Sequence, residues 1–152
     1  MILNHLFRDV HPSGKLSVRI ATYLYTLDIR ADPKNPVRRL TTALVRAAAR
    51  GVSTRVLLGV PAERRLATLN SITAAYLAER GIQVKVAYGT PLHVKLTIVD
   101  DRFGLVGSHN LTPRALSSAK ELTVALWSSQ TCETLSSHFD ALWARASDGM
   151  AA

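Results

Sequence analysis

LHVKLTIVDDRFGLVGSHN, residues 92–110, is the stretch from which the fold of this chain can be read. Its first eight residues alternate between apolar and polar side chains, which is typical of a β-strand with one buried face. The alternation places His93, Lys95 and Thr97 on one face of this strand. The other face is aliphatic and consists of Leu92, Val94, Leu96 and Ile98. Two aspartates follow as turn residues, and FGLVGS predicts a second strand that returns beside the first.

Strand and helix patterns alternate along the rest of the chain. Strands are predicted at 15–27, 53–60, 82–89 and 121–127, helices at 37–50, 63–80 and 130–146, and a further short strand near 4–10. In the second helix, the periodicity places five apolar residues on the buried side: Leu66, Leu69, Ile72, Tyr76 and Leu77. The early strand–helix–strand units predict parallel neighbours, and the later short links predict antiparallel pairs. We therefore expect one α/β domain over residues 1–152, with a mixed β-sheet flanked by helices on both faces.

The composition narrows the class of protein. Of the 152 residues, 47% are hydrophobic and 20% are charged, which suits a globular chain with a packed core. No apolar run reaches the roughly 18 residues of a membrane span, so a membrane partner is not expected. The N-terminus lacks the basic and apolar regions of a signal peptide, which favours a cytoplasmic protein. Cys132 is the single cysteine, which excludes an internal disulfide and a cysteine-based zinc site.

The chain is strongly basic, with nineteen Lys and Arg against eleven Asp and Glu and a formal net charge of +8. Such a surface attracts nucleic acid, acidic lipid or other polyanions. Arginines cluster around the first two predicted helices: Arg38, Arg39, Arg46, Arg50, Arg55, Arg64 and Arg65. They fit either solvated helix faces or a track for a phosphate backbone. Tyr23 and Tyr25 fit either core packing or stacking on bases.

Polar side chains continue past the end of the second strand of the opening stretch. If the chain stays extended there, Ser108 and Asn110 point the same way, and both can donate hydrogen bonds to an anionic oxygen. His109 then points to the opposite side, which favours packing or the edge of a substrate site. Glu121, at the start of the next predicted strand, can accept a hydrogen bond from one nitrogen of His93 and leave the other free as a nucleophile.

One set of spacings in this region resembles a known motif. The residues are His93, Lys95, Asp100, Gly107, Ser108 and Asn110, in the pattern H-x-K-x4-D-x6-G-S-x-N. These six identities resemble the HKD motif of the phospholipase D superfamily, and they are far more specific than an isolated H-x-K. Glu121 follows Asn110 by eleven residues, where that family usually carries the glutamate that orients the histidine. The resemblance covers the whole chain in outline and implies a phospholipase D-like α/β/α sandwich.

The resemblance implies a role for each matching residue. His93 would be the nucleophile that attacks phosphorus and forms a phosphohistidine, and Glu121 would orient it. Lys95 and Asn110 would bind the non-bridging oxygens of the substrate and stabilise the transition state. Ser108 would assist in the same pocket.

Two further residues have less direct roles. Asp100 belongs to the signature, and we interpret it mainly as a turn residue at the strand end. Arg114, just after the motif, is placed to contact substrate. The resemblance implies no metal and no cofactor, because lysines provide the positive charge that a divalent ion provides elsewhere. A zinc site of His93, His109 and Asp100 is the alternative, and the opposite faces of the two histidines argue against it.

The chain carries one copy of the motif. Phosphoryl transfer through a covalent histidine needs a second group that protonates the leaving oxygen, and in this family a second HKD histidine does so. The remaining histidines, His5, His11, His109 and His138, lack a lysine two residues later. Single-motif relatives, the small bacterial endonuclease-like members, form homodimers. We therefore expect a homodimer with the active site at its two-fold interface.

The net charge and the single motif together favour one function. They predict a metal-independent phosphodiesterase, an endonuclease that acts on DNA or RNA as a homodimer. A phospholipase D or phosphatidyl-transfer enzyme with the same site is an alternative. A catalytically idle nucleic-acid-binding module is a second alternative.

Overall fold

The computed structural model describes residues 16–89 and 91–148, and these contain one seven-stranded sheet and four helices. The strands are β1 (Ser17–Thr22), β2 (Ser53–Leu58), β3 (Gln83–Val86), β4 (Leu96–Val99), β5 (Phe103–Gly107), β6 (Thr123–Leu126) and β7 (Ser147–Asp148). The helices are α1 (Pro36–Ala49), α2 (Arg64–Ala78), α3 (Pro113–Ser117) and α4 (Ser129–Arg145). The order predicted for these elements is confirmed, with α3 and β7 added. The strand predicted near 4–10 lies outside the described residues.

The strands follow the order β6-β5-β4-β1-β2-β3-β7 across the sheet. β1, β2 and β3 are parallel neighbours, as the two strand–helix–strand units predict. β4, β5 and β6 are antiparallel, and β4 also pairs antiparallel with β1, so that Ala21 lies opposite Leu96 and Leu96 opposite Val106. The carboxyl end of β1 therefore meets the start of β4 and the end of β5. The motif residues other than Asp100 lie at this end of the sheet.

Apolar side chains cover both faces of the sheet. On one face, Leu44 of α1 and Leu77 of α2 belong to the same buried cluster as Ile20 of β1. On the other face, Phe139 of α4 clusters with Leu57 of β2. Each large apolar side chain that is fully buried contributes about 1.5–3 kcal/mol. The predicted mixed sheet with helices on both faces, an α/β/α sandwich, is confirmed.

Two strand boundaries differ from the sequence prediction. β4 begins only at Leu96, which lies opposite Ala21, the residue before the end of β1, so His93 and Lys95 precede the strand. β6 begins at Thr123, so Glu121 lies before the strand and not at its start. Both differences fall at the edge of the sheet that carries the motif.

The predicted buried side of α2 is confirmed at Leu77, which is fully buried, and is wrong at Ile72. Ile72 is 55% exposed, whereas Asn70 is buried. The Asn70 side chain accepts a hydrogen bond from the Tyr25 N–H (2.8 Å) and donates to the carbonyls of Tyr23 (2.9 Å) and Gly59 (3.0 Å). Backbone groups beyond the ends of β1 and β2 need such partners when they are buried. The helix therefore turns a polar side chain toward the sheet.

Candidate active site

His93 and Lys95 lie side by side just before β4. The Lys95 Nζ atom donates a hydrogen bond to the His93 carbonyl oxygen (2.7 Å) and lies 2.9 Å from His93 Nδ1. His93 is exposed, whereas only 8% of the Lys95 surface is exposed. Leu92 and Val94 belong to the apolar cluster on the α4 side. The predicted separation of polar and apolar side chains is therefore confirmed.

The charge of Lys95 affects the state of the histidine. Burial lowers the pKa of the Lys95 ammonium, and the nearby Glu121 carboxylate opposes this change. While Lys95 is charged it can only donate hydrogen bonds, so His93 Nδ1 must accept. The proton of the neutral imidazole then lies on Nε2. In this arrangement Nε2 has no free lone pair, and Lys95 must leave Nδ1 before Nε2 can act as a nucleophile.

Gly107 brings the end of β5 close to both neighbouring strands. Its N–H donates to the Lys95 carbonyl (3.2 Å). A Cβ at this position would lie 2.3 Å from Thr123 Oγ1 and 2.6 Å from the Leu122 carbonyl oxygen. Side chains do not approach that closely, so this position of the motif requires glycine. The close approach lets the segment that carries Glu121 reach the motif.

Ser108 and Glu121 form a second hydrogen-bonded pair, next to the pair of His93 and Lys95. The Ser108 hydroxyl donates a hydrogen bond to a Glu121 carboxylate oxygen, and the Leu122 N–H donates to Ser108 Oγ (3.1 Å). The segment before β6 is thus held to Ser108. In the described part of the chain, Glu121 has no hydrogen bond to His93, so the contact expected from the sequence is not formed in this structure.

His109 lies on the same side as Lys95, which differs from the prediction. Its Nδ1 atom is 2.6 Å from Thr123 Oγ1. With Lys95, Thr97 and Leu40, it lines a cavity of about 50 Å³ between the sheet and α1. The alternation along β5 explains this position, because Gly107 and His109 both face the cavity while Ser108 turns away.

Asn110 and Arg114 follow the motif strand. The Asn110 Oδ1 atom is buried, and no hydrogen-bond partner for it occurs among the described residues. A buried amide oxygen without a hydrogen-bond partner is costly. Arg114 is exposed in α3, which Thr112 caps by accepting a hydrogen bond from the Ala115 N–H (3.2 Å).

Asp100 lies at the opposite end of β4 from Lys95. Five residues separate them, which corresponds to about 16 Å along a strand. The Asp100 carboxylate accepts a hydrogen bond from the Ser17 N–H (2.6 Å), and Asp100 and Asp101 both adopt φ of 53°. These left-handed conformations close the turn between β4 and β5. Asp100 therefore contacts the turn and β1, and not His93.

Tyr23 is a neighbour of the site that the motif does not indicate. Its ring centroid lies 5.2 Å from that of His93, and Lys95 Nζ lies 5.8 Å from the Tyr23 centroid. Tyr25, in contrast, is fully buried and its hydroxyl is 2.8 Å from Thr41 Oγ1, so of the two interpretations core packing is the right one for Tyr25. The position of Tyr23, just past the carboxyl end of a parallel strand, is the signal that could have identified it.

Neither a metal-binding cluster nor a membrane-spanning helix occurs among the described residues. Within 16–89 and 91–148, no group of three His, Cys, Asp or Glu side chains is placed to hold a metal ion. The alternative zinc site of His93, His109 and Asp100 is thus not formed. The same ranges contain no helix with the length and apolar character needed to cross a membrane.

The sequence matches one protein family over most of its length. Residues 13–143 match the family described as "Cardiolipin synthase, PLD-like domain". Cardiolipin synthase B of Salmonella typhi is 35% identical over 83 residues, which are 54% of this chain and 20% of that protein. The chain thus spans about a fifth of the length of this curated relative.

Two solved structures share the fold over nearly the whole chain. Nuc from Salmonella typhimurium, a phospholipase D family member, has a TM-score of 0.74 and 25% identity, covering 97% of this chain and 87% of that one. NucT from Helicobacter pylori has a TM-score of 0.70 and 19% identity, covering 96% and 89%. The family match and the shared fold show that this chain belongs to the phospholipase D superfamily of phosphodiesterase-type enzymes.

Proposed function

We propose that the chain is a metal-independent phosphodiesterase that cleaves nucleic acid through a phosphohistidine, with each active site shared by two copies of the chain. The observation that carries the proposal is the contact between the exposed His93 imidazole and the buried Lys95 ammonium. An imidazole can attack phosphorus, and an adjacent cation stabilises the negative charge that develops on the phosphoryl oxygens.

The first step begins when a substrate phosphate draws the Lys95 ammonium away from His93 Nδ1. Nδ1 can then carry the imidazole proton, and the Nε2 lone pair attacks phosphorus. Asn110 donates a hydrogen bond from its amide Nδ2 to a phosphoryl oxygen, and Ser108 acts through its hydrogen bond to Glu121. The P–N bond forms as the P–O bond to the leaving nucleotide breaks, and the leaving oxygen takes a proton from the histidine of the second copy.

The second step returns both histidines to their starting states. The histidine of the second copy, now neutral, accepts a proton from water as the water oxygen attacks phosphorus. The new P–O bond forms and the P–N bond breaks. His93 leaves as a neutral imidazole, and the product carries a terminal phosphate.

An arginine-lined groove on α1 supports nucleic acid as the substrate. It has a volume of about 380 Å³ and is lined by Pro33, Arg38, Arg39, Thr42, Ala43 and Arg46. Arg38 donates a hydrogen bond to the Ala31 carbonyl, whereas Arg39 and Arg46 are exposed on the side of α1 that faces away from the sheet. Seven residues of helix separate them by about 10 Å, roughly three nucleotide steps of a DNA strand. We name this groove the α1 groove.

Charge reversal in the α1 groove is expected to weaken binding without changing the chemical step. The double substitution Arg39→Glu and Arg46→Glu should raise the KM for an oligonucleotide about tenfold and lower the slope of log KM against log salt by about two, with kcat retained. The matched control is Arg80→Glu with Arg102→Glu, which changes the net charge equally at the far end of the sheet. Equal effects of the two pairs would show a general charge effect and no groove.

An apolar strip beside the motif supports contact with a second copy. Val106, Leu122 and Val124 are 37%, 75% and 52% exposed, and Val106 lies opposite Val124. They lie at the motif end of β5 and β6, on the face of the sheet that α4 covers but beyond the end of that helix contact. Ser108 and Glu121 are their chain neighbours. Packing this β5–β6 strip against its symmetry mate would remove apolar surface from water and bring two motifs together.

Phosphatidyl transfer is a second candidate function, and the match to cardiolipin synthase favours it. The family description names that enzyme, and its Salmonella typhi member is 35% identical over 83 residues. The chemistry at His93 and Lys95 would be the same. The acceptor in the second step would be a lipid hydroxyl in place of water.

Turnover in EDTA distinguishes the two functions. We expect labelled single-stranded DNA or RNA to be cleaved at a rate that EDTA does not change, and vesicles of phosphatidylglycerol or cardiolipin to be inert. Turnover of the lipid alone would establish the second candidate. Loss of nucleic acid cleavage in EDTA would refute metal independence, and tight binding without turnover would indicate an idle binding module.

A further inference from the structure

We propose that Tyr23 is a positioning residue that holds the His93 imidazole and the Lys95 ammonium in place through the face of its ring. This inference rests on the proposed role of His93 as the nucleophile. The contacts around the His93 ring support it. The ring is exposed and precedes β4, so the hydrogen bonds of the sheet do not fix its direction.

Among the described residues, two side chains make a hydrogen-bonding or ring contact with the His93 imidazole. One is Lys95 Nζ, 2.9 Å from Nδ1, and the other is the Tyr23 ring, whose centroid is 5.2 Å away at an interplanar angle of 45°. Glu121, which the sequence suggested for this task, accepts its hydrogen bond from Ser108. Lys95 must leave Nδ1 when it binds phosphate. Tyr23 is then the neighbour that still holds the imidazole at the moment of attack.

The Tyr23 backbone is fixed by a hydrogen bond from the buried side chain of Asn70. Asn70 is 4% exposed, and its Nδ2 atom donates to the Tyr23 carbonyl (2.9 Å) and the Gly59 carbonyl (3.0 Å). At Gly59, an added Cβ would lie 2.8 Å from Tyr23 Cδ2 and 2.9 Å from the Leu92 carbonyl oxygen. The ring therefore occupies space that only glycine leaves open, directly beside the residue that precedes His93.

The same ring faces the lysine of the pair. Lys95 Nζ lies 5.8 Å from the Tyr23 centroid, within the range of cation–π attraction. Both interactions use the aromatic face and do not use the hydroxyl group. Phenylalanine at this position should therefore preserve them, and an aliphatic side chain of similar size should lose them.

Three variants and two measurements test the proposal. With a small chromogenic phosphodiester as substrate, Tyr23→Leu is expected to lower kcat about ten- to a hundredfold, because displacement of a nucleophile by about 1 Å has effects of that size. KM should stay within about twofold, and Tyr23→Phe should retain kcat within about threefold. The matched control is Tyr88→Leu, at an exposed tyrosine after β3, with wild-type kinetics expected.

The NMR signal of the His93 Cε1–H reports the ring contact without any activity. It should carry a ring-current shift in the wild type and in Tyr23→Phe, and lose it in Tyr23→Leu. An unchanged His93 signal in Tyr23→Leu, or a loss of activity in Tyr23→Phe equal to that in Tyr23→Leu, would overturn the proposal. A rise in KM alone would also overturn it, because it would show Tyr23 contacting substrate. An inactive wild-type protein would refute the proposed function, and the NMR signal would still decide whether Tyr23 holds the ring.

Discussion

Replacement of His93 by alanine is expected to lower phosphodiester cleavage by roughly three orders of magnitude or more, because it removes the imidazole that attacks phosphorus. In a homodimer this substitution also removes the proton donor from the shared site. The fold should not change, since the His93 side chain is exposed. Cleavage of a labelled oligonucleotide by the purified variant, with thermal melting as a check of folding, measures the effect.

A control variant and a trapping experiment test whether His93 is the nucleophile. The control is His138→Ala, at an exposed histidine of α4, with full activity expected. Rapid acid quenching of the wild type with labelled substrate should trap a phosphorylated protein, and mass spectrometry should place the label on His93. Full activity of His93→Ala, or a label on another residue, would refute the covalent mechanism.

Introduction of a charge into the β5–β6 strip is expected to dissociate the homodimer and, as a consequence, to abolish phosphodiester cleavage. Val124→Asp places a carboxylate at a position that is 52% exposed in the single subunit, so the subunit itself should fold normally. In the proposed dimer the same carboxylate would be buried without a partner, which costs several kcal/mol. Sedimentation should show a monomer, and cleavage should fall with the loss of the second histidine.

The control for the strip is Ile72→Asp, at a residue that is 55% exposed in α2, which packs on the other face of the sheet from α4 and the β5–β6 strip. It should leave both mass and activity unchanged. An active wild-type monomer would contradict the shared site. A dimer that survives Val124→Asp would show that the two copies meet elsewhere.

The side-chain directions in the first part of the opening stretch, residues 92–98, could be predicted because they depend on local geometry. Alternation with a period of two places Leu92 on one side and Lys95 and Thr97 on the other, and it persists through the residues that precede β4. The relative direction of neighbouring strands also follows from local features, since strand–helix–strand units are parallel and short links are antiparallel. These features need no knowledge of distant residues.

Contacts between segments that are distant in the chain were the ones that sequence reasoning missed. Glu121 was expected to contact His93, but it lies before β6 and contacts Ser108, because the pairing of β5 with β6 fixes which residues meet. The pairing register depends on Gly107 and Thr123, and the motif pattern does not encode it. The contact between Tyr23 and His93 was missed for the same reason, since the two residues are seventy positions apart in the chain.

The error in α2 has a related cause. Helical periodicity assigns the apolar Ile72 to the core, because it counts only side-chain hydrophobicity. Asn70 is buried instead, since its amide satisfies backbone groups of Tyr23, Tyr25 and Gly59. Those groups come from two other segments. A single helical segment contains no sign that they need partners.

The hydrogen bond between the Ser17 N–H and Asp100 has a consequence for how the chain folds. It joins residues 83 positions apart and fastens the start of β1 to the turn between β4 and β5. β1 can pair with β2 early, but its other edge stays open until β4 has emerged and closed a long loop. Contacts of this sequence separation slow folding, because the entropy of loop closure is lost before the pairing stabilises the chain. Asp100 of the motif therefore takes part in one of the long-range contacts that slow the assembly of the sheet.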